Sequence, residues 1–321
     1  MSGRHGRVIA QLLLTAAVIA GFAACGSASR STVEPADAGG AAADFAKVVA
    51  SSNVDAVRYL YPTTTGSRDN RQNWADLFMP KGEQPNESVP LVILVHGGAW
   101  QAQIGADSFV TFARRLAERG LAVLNVEYRR VGSGGGWPTT FKDVAAALDF
   151  VPEIEAAVPA IDAKHAVVVG HSAGGQLAMW AGTRDKLHSN EVGADPKFDP
   201  ASAISLAGPL DMRQAVVLGD DRIVGALGGT PQQVPDRYAS VDPIQNLDPS
   251  MPVIAMAGSR DTVVPPVLSQ NYVNAATAAG DDARFVLVNG ADHPSIVDPS
   301  APTFQLVLET ISRSAHDAAR R

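Results

Sequence analysis

The chain has a single cysteine, Cys25, among its 321 residues. A pairwise disulfide within the chain is therefore excluded, and folding has to rest on burial and hydrogen bonding. Metal-ligand spacings such as HExxH and CxxC are missing, so no metal is implied and no cofactor is expected. No G-x-x-x-x-G-K-[ST] loop is present for a nucleotide phosphate. Positive charge is also short: 26 Lys and Arg stand against 33 Asp and Glu, a net charge of −7. Such a balance speaks against nucleic-acid binding, which needs a basic face. There is no internal repeat. A mostly apolar run near the start, Val8 to Ala20, is too short to span a bilayer comfortably.

That run follows Arg4, His5 and Arg7 and ends in Gly21-Phe22-Ala23-Ala24-Cys25. A charged start, an apolar middle and a small-residue end describe a secretory signal peptide over residues 1–24. A cysteine placed directly after Ala-Ala resembles the lipobox of bacterial lipoproteins. The resemblance implies that Cys25 is lipidated and anchors the protein on the extracytoplasmic face of the cell membrane. Phe22 departs from the usual Leu or Val of that motif. Residues 25–44 are rich in Ser, Ala and Gly, the composition of a flexible tether. Residues 45–321 are expected to form the folded domain.

Hydrophobic residues make up 46% of the chain and charged residues 18%, enough apolar material for one large core. Short apolar runs read as strands at Val54–Tyr61, Trp74–Met79, Pro90–Val95, Leu121–Glu127, Ala166–Val169, Ala203–Leu206, Val253–Ala257 and Phe285–Val288. Helical spacing appears at Phe109–Arg119, Phe141–Val151, Gly174–Thr183 and Thr303–Ala319. Strands alternating with helices predict an α/β fold with a mostly parallel sheet covered on both faces. Sites in such sheets gather at the carboxyl ends of the strands. Two stretches, Thr183–Pro200 and Asp211–Pro249, break the alternation and are expected to act as lids or substrate-shaping excursions.

At one strand end stands Gly170-His171-Ser172-Ala173-Gly174. A serine that follows a strand and opens a helix is either a helix cap or a nucleophile on a sharp turn. Small residues two before and two after it favour the turn, because side chains there would clash. Upstream, His96-Gly97-Gly98-Ala99-Trp100 follows the strand ending at Val95. Paired glycines leave backbone N–H groups free to face a developing oxyanion.

Together the two motifs resemble the α/β-hydrolase family, in particular its HGG-type esterases, with relatives of hormone-sensitive lipase and of kynurenine formamidase among them. The resemblance runs from about Trp74 to the C-terminus. It implies an α/β-hydrolase fold with Ser172 as nucleophile and with Gly98, Ala99 and Ala173 as oxyanion donors. His96 is implied to brace the loop. The family order of serine, acid, histidine points to Asp261, after the strand Val253–Ala257, and to His293, after Phe285–Val288. Asp211 is the alternative acid and Asp292 a weaker one. His171 is excluded as the base because it neighbours Ser172, and its side chain is expected to point elsewhere. Trp100 either lines the acyl pocket or packs in the core. The expected activity is carboxylic-ester hydrolysis of a small-molecule substrate. An arylformamidase-like amidase and a non-catalytic ligand-binding lipoprotein are the other readings.

Overall fold

Residues Val89–Val95 are buried throughout, and their alternation splits them between two cores. Leu91, Ile93 and Val95 enter one apolar cluster, Val92 and Leu94 another. A continuous apolar run of this kind is what a strand covered on both faces requires. The computed structural model describes residues 52–64 and 66–320. The expected signal peptide, and the tether with Cys25, lie outside the described residues.

The strands are β1 (Val54–Leu60), β2 (Trp74–Pro80), β3 (Val89–Val95), β4 (Ala122–Val126), β5 (Ile161–His171), β6 (Ser202–Leu206), β7 (Val253–Gly258) and β8 (Ala283–Val288). They form one sheet in the order β1-β2-β4-β3-β5-β6-β7-β8. Strand β2 is antiparallel to both of its neighbours, and all other pairings are parallel. Val95 pairs with Gly170, His171 with Leu206, and Gly258 with Val288. This register brings the carboxyl ends of β3, β5, β6, β7 and β8 to one edge. Because β1 runs parallel to that group, Val54 lies at the opposite edge.

The helices are α1 (Val110–Ala117), α2 (Thr139–Asp149), α3 (Val151–Ala157), α4 (Ala173–Ala181), α5 (Met212–Val217), α6 (Asp221–Leu227), α7 (Pro235–Val241), α8 (Pro266–Ala279) and α9 (Phe304–Ala318). On one face of the sheet, Phe141 of α2 meets Trp180 of α4 edge-on, ring centroids 5.2 Å apart. On the other, Phe112 of α1 meets Phe304 of α9 at 5.1 Å. Such edge-to-face contacts fix ring geometry beyond simple burial.

Among the differences from the sequence reading, two stand out. Helix α8 was not expected. It buries Leu268, Tyr272, Val273 and Ala276, but small residues dilute its periodicity. The excursion Asp211–Pro249 holds three helices of six or seven residues. Fewer than two turns are too short to show a period, and such helices depend on tertiary packing. Their starts are nevertheless marked. The Asp211 side chain accepts from Gln214 N–H and that of Asp220 from Arg222 N–H, while Pro235 opens α7.

Candidate active site

Strand β5 delivers the chain into a sharp turn at Ser172, which has φ 54° and ψ −122°. A non-glycine residue there carries on the order of 1–3 kcal/mol of strain. A side chain on Gly174 would overlap the carbonyl oxygens of Val95 and His96. The turn is pinned by the Ser172 N–H, which donates to Leu206 O at 2.8 Å. Ser172 precedes α4, yet its hydroxyl makes no capping bond. It meets His293 instead, Oγ to Nε2, at 2.8 Å.

His293 follows β8, and its Nδ1 lies 2.7 Å from Asp261 Oδ2. Nδ1–H therefore donates to the carboxylate, which leaves Nε2 to accept from the serine hydroxyl. Asp261 follows β7. Its other oxygen accepts the N–H groups of Val263 and Val264, both at 2.9 Å. Three donors thus hold a buried carboxylate in place. Asp211 caps α5 and accepts from Asn271 at 3.3 Å. Asp292 is exposed and closes a turn with Ser295. Neither of these carboxylates meets the His293 ring among the recorded hydrogen bonds.

His171 does not point away, as its sequence position suggested. Its Nε2–H donates to the backbone carbonyl of His293 at 3.0 Å, and the two rings lie 4.8 Å apart. Burial, with the neighbouring His293 adding to it, pushes His171 down to about 3. It therefore stays neutral in ordinary buffers. A neutral neighbour can hold the His293 backbone without repelling a positive charge on that ring.

The loop after β3 lies against this turn. A Cβ on Gly97 would sit 2.8 Å from His171 O and 3.1 Å from Ser172 Cβ. Gly98, Ala99 and Trp100 follow with φ of 112°, 57° and 56°. The run is zipped to the segment after β4: Val131 N–H donates to Trp100 O at 2.8 Å, and Ala102 N–H to Val131 O at 3.0 Å. Gly97 is thus held against Ser172, with Gly98 and Ala99 next in the chain. Ala173 opens α4, where a backbone N–H has no partner inside the helix. Trp100 is 2% exposed and packs in the core, with no acceptor for its indole N–H among the described residues. In this structure it backs the loop from behind. Among the described residues, no group of three or more His, Cys, Asp or Glu could hold a metal ion.

Sequence reasoning assigned nothing to Glu127. Its carboxylate meets His96 Nε2 at 3.1 Å and accepts Ala106 N–H at 3.0 Å. The only hint in the sequence was a charged residue closing an apolar strand run.

The BD-FAE family model matches residues 75–275, well over half of the chain. Esterase LipC of Mycobacterium tuberculosis is 26% identical over 282 residues, covering 82% of this chain and 68% of that protein. Among solved structures, a truncated carbohydrate esterase from gut microbiota superposes with a TM-score of 0.70 at 21% identity, covering 84% of this chain and 99% of its own. Esterase B from Lactobacillus rhamnosis, inhibited by a tributyrin phosphonate, superposes with a TM-score of 0.68 at 19% identity, covering 87% and 92%. The chain belongs to the BD-FAE family, an esterase family with the α/β-hydrolase fold.

Proposed function

We propose that the protein hydrolyses carboxylic esters through an acyl-enzyme formed on Ser172. The observation that carries this reading is the hydrogen-bonded line from Asp261 through His293 to a serine held at positive φ. His293 Nε2 takes the Ser172 proton as Oγ attacks the ester carbonyl. Asp261 keeps the imidazole in the right tautomer and stabilises its cation. The carbonyl oxygen becomes an oxyanion, received by the N–H groups of Gly98, Ala99 and Ala173. His293 then protonates the leaving alcohol, and water repeats the sequence in reverse to release the acid. The test is labelling with a fluorophosphonate probe. Wild type should label and Ser172→Ala should not. Failure of the wild type to label would favour a ligand-binding protein without catalysis. Hydrolysis of p-nitrophenyl esters of rising chain length, acetylated sugars and N-formylkynurenine would then rank ester against amide substrates.

We also propose a lipid anchor at Cys25, supported by the sequence Phe22-Ala23-Ala24-Cys25 after an apolar run. The Cys25→Ala variant should move from the detergent phase to the aqueous phase on Triton X-114 partitioning. Unchanged partitioning would refute the anchor.

A further inference from the structure

The HGG loop is gripped from behind by a second histidine–carboxylate pair. The His96 ring is fully buried and stacks on Tyr128, centroids 4.3 Å apart and planes 9° apart. Nε2 lies 3.1 Å from Glu127 Oε1, and Nδ1 lies 2.6 Å from Gly97 O. A backbone carbonyl oxygen can only accept. The Glu127 carboxylate is already committed as an acceptor, taking Tyr128 N–H at 2.7 Å and Ala106 N–H at 3.0 Å, with Arg130 at 3.3 Å. Both ring nitrogens of His96 therefore face acceptors, and a neutral ring would set a lone pair against one of them.

Nδ1 reaches the carbonyl of Gly97, and the same peptide unit carries the N–H of Gly98. A hydrogen bond from a charged donor is short and strong. Drawing electron density toward the Gly97 oxygen makes the N–H at the other end of that peptide a better donor, the cooperative effect of chained hydrogen bonds at low dielectric. Glu127 also fastens the far end of the loop through Ala106, while Arg130 Nη1 donates to Ile104 O.

We propose that His96 and Glu127 form a buried relay, with His96 doubly protonated, that polarises the Gly97–Gly98 peptide and so strengthens the Gly98 N–H toward the oxyanion. Both are positioning residues, since neither touches substrate. The proposal rests on the acyl-enzyme reading above. Its first test does not need activity: nitrogen NMR of wild-type protein carrying 15N-histidine, with the His96 signals assigned by their loss in His96→Gln. Two protonated ring nitrogens on His96 at neutral pH are expected, and one protonated nitrogen overturns the relay. The second test is kinetic. In His96→Gln, kcat should fall on the order of tenfold with KM unchanged, a partial loss of one oxyanion donor. Affinity for phenylboronic acid, which mimics the anionic tetrahedral state, should fall by a similar factor, while inhibition by the product alcohol holds. Equal weakening of both inhibitors, or no change in kcat, overturns the relay. If His96→Gln does not fold, Glu127→Gln is read in the same way and supplies the assignment. Fluorophosphonate labelling of wild type separates the cases: labelling with a singly protonated His96 sinks the relay alone, and no labelling sinks the acyl-enzyme reading.

Discussion

Two histidine–aspartate pairs sit at opposite edges of the sheet with almost the same spacing. His293 Nδ1 lies 2.7 Å from Asp261, and His165 Nδ1 lies 2.8 Å from Asp162. His165 of the second pair even lines a groove with a serine, Ser202. But Ser202 lies in regular strand pairing with Val167, and its buried hydroxyl has no partner among the described residues. Ser172 is thrown off the end of its strand at positive φ and meets Nε2 of the facing histidine. The histidine–carboxylate hydrogen bond is therefore not what distinguishes the active edge. The distinction is a serine that the backbone is bent to present.

The largest contrast should come from cutting each pair. Asp261→Asn is expected to lower kcat about 10⁴-fold, as loss of the orienting carboxylate does in other serine triads. Asp162→Asn should leave kcat/KM within about twofold, read on the same p-nitrophenyl ester. Next in size is the bend itself. Gly170→Ala would press a methyl into the backbone of Gly174 and Gly175. A loss of roughly 4 kcal/mol or more in denaturant unfolding is expected, in the range set by severe overpacking. Ala201→Ser, beside Ser202 at the quiet edge, should cost little by the same measure.

A third effect is set by pH. His171 is held down at about 3, below the ordinary 6.5 of an exposed imidazole. Its contribution to stability is complete above pH 6.5 and is lost as the pH falls toward 3, because the unfolded chain takes up the proton first. His171→Phe should flatten the fall in urea midpoint between pH 7 and pH 4. It should also lower kcat, since the donor to the His293 carbonyl goes. The smallest effect belongs to the edge without chemistry. Both carboxylate oxygens of Asp281 are buried without a hydrogen-bond partner among the described residues, and burial raises its pKa, with Asp248 adding to it. Asp281→Asn should therefore stabilise the protein by about 1 kcal/mol at pH 7. The gain should fade on acidification, as the wild-type carboxyl protonates and its penalty disappears.

The hydrogen-bonded line of Ser172, His293 and Asp261 was legible because each member stands just past an apolar run with glycine nearby, and a strand followed by a turn needs no long-range information. The order of Ser172, Asp261 and His293 then followed from the resemblance. What stayed hidden depends on contacts across the sheet. His171 bonds a backbone 122 positions away, and Glu127 meets His96 across 31. No local pattern marks either bond. Trp100 illustrates the same limit. Its place beside the HGG motif was plain, but its burial follows from three consecutive positive φ values that the sequence does not announce. The helices of the excursion were too short for their periodicity to register, although Asp211 and Asp220 marked two of their starts.

Strand β1 enters at the edge remote from Ser172. Its seven residues alone carry the chain roughly 20 Å along the sheet. Ser52, where the described chain begins, therefore lies at the pole away from the Ser172 turn, and a label fixed at that residue would leave the turn uncovered.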